Sequence, residues 1–171
     1  MVHIYHGDGK GKTTAAMGQA LRALGHGWHV GVVQFLKDGS SGEVRMLASL
    51  PRTSVVACST DGKFTFQMTS DELAAMRTRQ EEALARARAQ AEAGEFDLLV
   101  LDEVLDAVNT DTLAASSVED AVHACKPSCE LVLTGRDPAP ALLELADYVT
   151  EMRCEKHPYQ QGVAAREGVE W

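Results

Sequence analysis

No run of about 18 apolar residues occurs anywhere in this 171-residue chain, so no membrane-spanning helix is expected. The opening residues, Met1 to Ile4, lack the basic-then-apolar pattern of a secretory leader. A chemical motif already begins at Gly7, and a cleaved leader would remove the strand in front of it, so the mature chain is expected to start here. Basic residues are in deficit, 16 against 25 acidic, for a formal charge of −9. That balance leaves no broad basic face for a nucleic-acid backbone, although a local basic pocket is compatible with it. The four cysteines, Cys58, Cys125, Cys129 and Cys154, show no C-x-x-C spacing, so neither a zinc knuckle nor a disulfide framework is indicated. Reduced thiols and a cytoplasmic location are the expectation. Internal repeats, linkers and low-complexity blocks are also missing. What remains, with 45% apolar and 24% charged residues, has the composition of one globular domain spanning residues 1–171.

Short β-branched runs alternate with helical stretches along that domain. Val2 to His6 reads as a strand, followed by a glycine-rich loop and a helix over Thr13 to Leu24. In that helix Met17, Ala20, Leu21 and Leu24 recur at i, i+3, i+4 and i+7. Strands are predicted over His29 to Phe35 and Thr53 to Cys58, with a short helix, Glu43 to Leu50, between them and stopped by Pro51. Thr69 and Glu72 have capping-box spacing and open a long amphipathic helix, Ser70 to Ala93. Its apolar side carries Leu73, Met76, Leu84, Ala87 and Ala91. Asp97 to Leu101 and Glu130 to Leu133 are almost uninterrupted apolar runs, as expected of strands covered on both faces of a parallel sheet. Ser117 to Ala124 and Ala139 to Ala146 read as helices, and Tyr148 to Met152 as a last strand before a polar tail without periodicity. The fold class is therefore α/β: a doubly wound, mostly parallel sheet with helices on both faces.

Chemistry concentrates in Gly7-Asp8-Gly9-Lys10-Gly11-Lys12-Thr13-Thr14, between the first strand and the first helix. Glycines let consecutive backbone N–H groups turn inward, and the helix N-terminus adds positive potential. Lys12 can reach phosphate oxygens, and the Thr13 hydroxyl can ligate magnesium. The usual Walker A spacing, G-x-x-x-x-G-K-S/T, asks for glycine where this chain has His6, with Gly7 one residue late. A second signal is the apolar run that ends in Asp102 and Glu103, two carboxylates at the sheet edge where ligands bind and where either can hold magnesium. A third is Thr134-Gly135-Arg136 at another strand end, where Arg136 can meet phosphate oxygens. Gln34 and Lys37 occupy a similar edge. Phe64 and Phe66, half of the chain's four phenylalanines, stand in an otherwise polar loop, from which they can fold onto the core or cover a large planar ligand. His26, His29 and His123 have no ligand spacing. On motifs alone the chain reads as a small-molecule kinase or NTPase; a nucleotide-gated binding module is a further possibility.

Read in order, these stretches resemble the ATP:corrinoid adenosyltransferase family of cobalamin biosynthesis and salvage, over nearly the whole chain. The resemblance rests on Gly7 to Thr14, including its shortened spacing, on Ala20 to Gly27 and on Val30 to Lys37. It continues through Leu101 to Glu103, Leu133 to Arg136 and the tail from Glu151 to Trp171, with Lys156-His157-Pro158-Tyr159 and Gly168-Val169-Glu170-Trp171. It implies transfer of the 5′-deoxyadenosyl group of ATP to the Co(I) of a corrinoid, with triphosphate as leaving group. Lys10, Lys12 and Arg136 are then implied to stabilise the departing triphosphate. ATP falls to the residues from Gly7 to Thr14 together with Arg22 and Arg136, and magnesium to Thr13, Asp102 and Glu103. Phe64 and Phe66 fall where the family has two aromatics that press on the corrin face; the second of these is often tryptophan. A tyrosine and a glycine often follow the Asp-Glu pair in the family, and Leu105 to Thr112 supplies neither. Longer members carry an N-terminal extension before the phosphate loop, so here the cover of the site is expected to come from elsewhere. The resemblance further implies a tail that borders the site, a homodimer, and a flavoprotein as electron donor.

Overall fold

The structure, a computed structural model, describes residues 1–59, 63, 65–126 and 128–170. Six strands form one sheet: β1 (Val2–His6), β2 (Val30–Gln34), β3 (Thr53–Ala57), β4 (Leu98–Asp102), β5 (Glu130–Gly135) and β6 (Tyr148–Glu151). They stand in the order β3-β2-β4-β5-β1-β6, and every pairing is parallel. Between them run α1 (Lys12–Gly25), α2 (Gly42–Ser49), α3 (Ser70–Glu92), α4 (Val104–Asn109), α5 (Ala115–Cys125) and α6 (Pro140–Leu145). All the strands expected from the sequence are present within one or two residues. The short helix α4 is too brief to leave a 3.6-residue period, and no pattern in the sequence marks it. Among the described residues no helix is long and apolar enough to cross a membrane.

Chain direction decides which face each helix covers. From β1 the chain moves one way across the sheet to β2 and β3, then reverses to β4, β5 and β6. Right-handed crossovers place helices of opposite travel on opposite faces. Accordingly α1 and α2 pack with Val30, Val32, Leu98, Val100 and Val132 on one face. On the other face α3, α5 and α6 cover Ile4, Val33, Leu99, Leu101 and Leu133. β4 is buried along its whole length, which is why its sequence, LLVLD, shows no alternation. Truncating one of its leucines to alanine should cost about 2–5 kcal/mol.

The expected capping box of α3 is present: Thr69 Oγ1 accepts from the Glu72 amide at 3.3 Å, and the Glu72 carboxylate accepts from the Thr69 amide at 2.8 Å. The buried stripe of α3 differs in one respect from the apolar pattern. Gln80 lies fully buried within it, donating from Nε2 to the Phe35 carbonyl at 2.8 Å, while Leu73 is only half-buried. The reversal of chain direction opens a crevice at the carboxyl edge of the sheet, where ligands of doubly wound folds bind.

Candidate active site

The loop from Gly7 to Gly11 leaves β1 and delivers the chain to the first turn of α1. Gly7 has φ 114° and Gly11, the residue before the helix, φ 122°, both in the region that disfavours a side chain. Close packing adds a second demand. The Gly9 amide donates to the Met152 carbonyl at 2.7 Å, and a Cβ on Gly9 would itself lie 2.7 Å from that oxygen. A Cβ on Gly7 would overlap the same carbonyl. Asp8 Oδ1 accepts from the Cys154 amide at 3.0 Å. The segment after β6 thus braces the loop from outside and leaves its inner side for a ligand.

Inside the loop, Lys12 Nζ donates to the carbonyls of Gly7 at 2.7 Å and Gly9 at 3.0 Å. The first turn of α1 contains no acidic residue, so its free N–H groups keep their positive potential. Burial lowers the Lys12 pKa below the usual lysine value, and the Arg136 guanidinium lowers it further, against the pull of Asp106, Asp8 and Glu103. Arg136 and Lys12 therefore converge, although they lie 124 positions apart in the sequence (136 − 12).

Asp102, at the end of β4, is fully buried and is the hub of the site. Its Oδ1 accepts from Thr13 Oγ1 at 2.9 Å and Thr134 Oγ1 at 2.7 Å; its Oδ2 accepts from Gln34 Nε2 at 2.9 Å and Lys37 Nζ at 3.2 Å. Four donors from α1, β5, β2 and the segment beyond β2 offset the desolvation of one carboxylate. Glu103 follows with φ 61°, a left-handed conformation that costs a residue with a side chain about 1–2 kcal/mol. Its amide donates to Thr134 Oγ1 at 2.9 Å, which fixes the turn. Burial raises the pKa of Glu103, opposed by the Lys37 ammonium 3.3 Å from its Oε1. For Lys37 itself burial works against the charge, but Asp102 and Glu103 more than compensate and its pKa is raised.

At the end of β5, Gly135 has φ 147°, and a Cβ there would fall 2.6 Å from Leu105 Cβ. This contact lets α4 lie close enough for Asn109 Nδ2 to donate to the Arg136 carbonyl at 2.8 Å. It also brings Asp106 beside Arg136. Burial raises the Asp106 pKa, while Arg136 and then Lys12 pull it down.

These groups open onto one cavity of about 970 Å³. Gly9, Lys10, Gly11, Lys12, Thr13, Thr14, Glu103 and Arg136 line it, as does Lys37, with Asp102 buried beneath. Gly7 and Asp8 face a separate cleft on the outer side of the loop. Arg22 is not among the lining residues; it stands on the exposed side of α1, 3.5 Å from Gln19 Oε1. Phe66 lies in the 3-10 turn Thr65–Gln67 and is 81% exposed; it does not line the cavity, whereas its neighbour Thr65 does. Phe64 lies outside the described residues. Opposite the charged end, Met17 and Leu21 of α1 and Met46 and Leu47 of α2 form an apolar wall. The tail closes one side: Gly168, Val169 and Glu170 reach the cavity, and Lys10 Nζ donates to the Val169 carbonyl at 2.8 Å.

The sequence profile of the ATP:corrinoid adenosyltransferase BtuR/CobO/CobP family matches residues 1–171, the full length of the chain. The chain belongs to this family. Adenosyl transfer from ATP to a corrinoid is accordingly its activity, and it is an enzyme of the transferase class. Among similar proteins, a corrinoid adenosyltransferase of Escherichia coli K12 is 34% identical over 171 residues, all of this chain and 85% of the relative. One from Pseudomonas aeruginosa is 36% identical over 170 residues, 98% of this chain and 82% of the relative. The corrinoid adenosyltransferase CobA of Salmonella typhimurium is 35% identical over 172 residues, again all of this chain and 85% of the relative. Two polar residues of the site leave little trace in the sequence of this adenosyltransferase: Thr134 reads only as part of a strand end, and Asp106 carries no signal without α4.

Proposed function

We propose that the cavity seats ATP with its triphosphate at the loop end and the broad, largely apolar corrin ring toward the wall of Met17, Leu21 and Met46. The observation that carries this reading is the joining of a polyphosphate cradle and an apolar wall in one cavity. The cobalt of the reduced substrate is strongly nucleophilic, so the chain need supply no nucleophile. Its electron pair forms the bond to C5′ as the C5′–O5′ bond breaks, and the departing pair stays on triphosphate. The protein's share is alignment and charge: Lys10, Lys12, Arg136 and the loop amides meet the negative charge that grows on the leaving oxygen. For Lys12 this means exchanging the carbonyls of Gly7 and Gly9 for phosphate oxygens. Asp106, beside Arg136, bonds to its backbone and helps fix the turn that carries the guanidinium.

Magnesium fits the donor set. Thr13, Asp102 and Glu103 offer a hydroxyl and two carboxylates around one cation-sized position, marked by the Lys37 ammonium. Among the described residues no three His, Cys, Asp or Glu side chains form a metal cage. Magnesium characteristically uses one or two carboxylates and completes its shell with phosphates and water. When bound it would neutralise charge on the triphosphate. Phe64 and Phe66 we assign to the corrin face on the family resemblance. We further propose a homodimer that receives electrons from a flavoprotein.

The test is anaerobic mixing of the protein with Mg-ATP and a corrinoid chemically reduced to Co(I), following the cobalt spectrum and the phosphate products together. Loss of the Co(I) spectrum with equimolar triphosphate and a light-sensitive Co–C product is expected. Corrinoid-independent formation of ADP would overturn the reading in favour of an NTPase or kinase.

A further inference from the structure

Lys37 is not demanded by the phosphate-loop motif, yet the oxygens of the site gather around its ammonium. Nζ lies 3.0 Å from Thr13 Oγ1, 3.2 Å from Asp102 Oδ2 and 3.3 Å from Glu103 Oε1. The three oxygens come from α1, from the end of β4 and from the turn into α4. They are the oxygens assigned above to a divalent cation. An ammonium and a divalent ion cannot use them together, because both draw on the same lone pairs and repel each other at short range in a half-buried site.

Which cation prevails depends on the charge around them. Asp102, Glu103 and Lys37 together carry one net negative charge, too little to dehydrate a small divalent ion whose shell normally includes substrate phosphates. A triphosphate in the loop adds several negative charges next to Thr13 and tips the competition the other way. We propose that Lys37 is the resident counter-ion of this site, a positioning residue that makes divalent-metal binding conditional on the nucleotide. Metal then enters with the triphosphate rather than ahead of it, and the carboxylates stay neutralised until it does. The proposal rests on the assignment of the metal to Thr13, Asp102 and Glu103. It differs from a merely structural ion pair, which would stabilise the fold without controlling metal affinity.

The experiment uses the full chain and Mn²⁺ as probe, with bound ion measured by equilibrium dialysis and electron paramagnetic resonance, with and without ATP. Wild-type protein should bind Mn²⁺ weakly alone and firmly with ATP. Lys37→Met and Lys37→Gln remove the charge, the second keeping a hydrogen-bond donor for Asp102 so that the fold has a partner for its buried carboxylate. Each should tighten nucleotide-free Mn²⁺ binding by about tenfold or more. Lys37→Arg keeps the charge and should retain weak binding. Firm Mn²⁺ binding by nucleotide-free wild-type protein would overturn the proposal without any variant. So would equal Mn²⁺ affinity in wild type and in whichever neutral variant melts cooperatively. If wild-type protein retains no Mn²⁺ beyond that carried by free ATP, the metal assignment itself falls and takes the proposal with it. That result is distinguished by the ATP arm alone.

Discussion

The two ends of the cavity are built by opposite means. At the charged end, side chains from strand termini are buried and braced against one another: Asp102 and Thr134 are 0% and 1% exposed, and one carboxylate receives four donors. At the apolar end, Met17 and Leu47 are buried, but Leu21 and Met46 stand open, 59% and 63% exposed, with no polar partners to fix them. A developing charge is stabilised at least cost by dipoles already in place, so order at the charged end before substrate arrives favours the transfer. An apolar wall only has to present area, and methionine adapts its shape at little cost. The adenosyltransferase therefore concentrates its order where charge will move.

The largest effect that would test this contrast is on catalysis. Lys12→Ala should lower triphosphate release by about 10²–10³-fold, as loss of one preorganised charge contact does. Thermal unfolding should change little, because Lys12 touches only loop carbonyls. Next comes stability: Asp102→Ala strands Thr13, Thr134, Gln34 and Lys37 at once and should cost about 3–5 kcal/mol, read as a lower midpoint in denaturant. A midpoint within error of wild type would mean that the hub is not braced as described. Third, Met46→Glu or Leu21→Glu at the open end should raise the corrinoid KM by about tenfold. Unfolding should stay within about 0.5 kcal/mol of wild type, as for other exposed positions. If either variant melts like Asp102→Ala, the two ends are not built differently.

The smallest expected effect is on pH dependence. Lys12 must be protonated to meet phosphate, and its lowered pKa means that the ammonium is lost as pH rises, earlier than for an ordinary lysine. The alkaline limb of kcat/KM should accordingly fall below the usual lysine range. Arg136→Gln removes the second cause of the lowering and should move that limb upward. An alkaline limb that stays put in Arg136→Gln would show that Lys12 does not set it.

Legibility in the sequence follows the same division. Gly7 to Thr14, Asp102, Glu103 and Arg136 could be read because the residue types are themselves the chemistry and the strand-end positions are where such folds bind ligands. The apolar wall could not. Met17, Ala20, Leu21 and Leu24 share one helical period, but Ala20 is fully buried while Leu21 lies over the cavity; periodicity finds an apolar face and not what covers it. Arg22, one residue further round the helix, is not among the residues that line the cavity with Leu21. Thr134 and Asp106 become site residues only because β5 lies beside β4 and α4 packs against Gly135, and strand order is not written in any local pattern. The tail, devoid of periodicity, reached the site only through the family resemblance.

The bracing of the phosphate loop by Met152 to Cys154, and of Lys10 by Val169, has a consequence for how the protein is made. Synthesis proceeds from the amino end, so the loop emerges well before its outer support, which is encoded some 145 positions later (152 − 7). Contacts of such long range are slow to form. A ribosome-bound fragment ending before residue 152 would therefore carry the whole nucleotide motif and still be unable to grip a triphosphate.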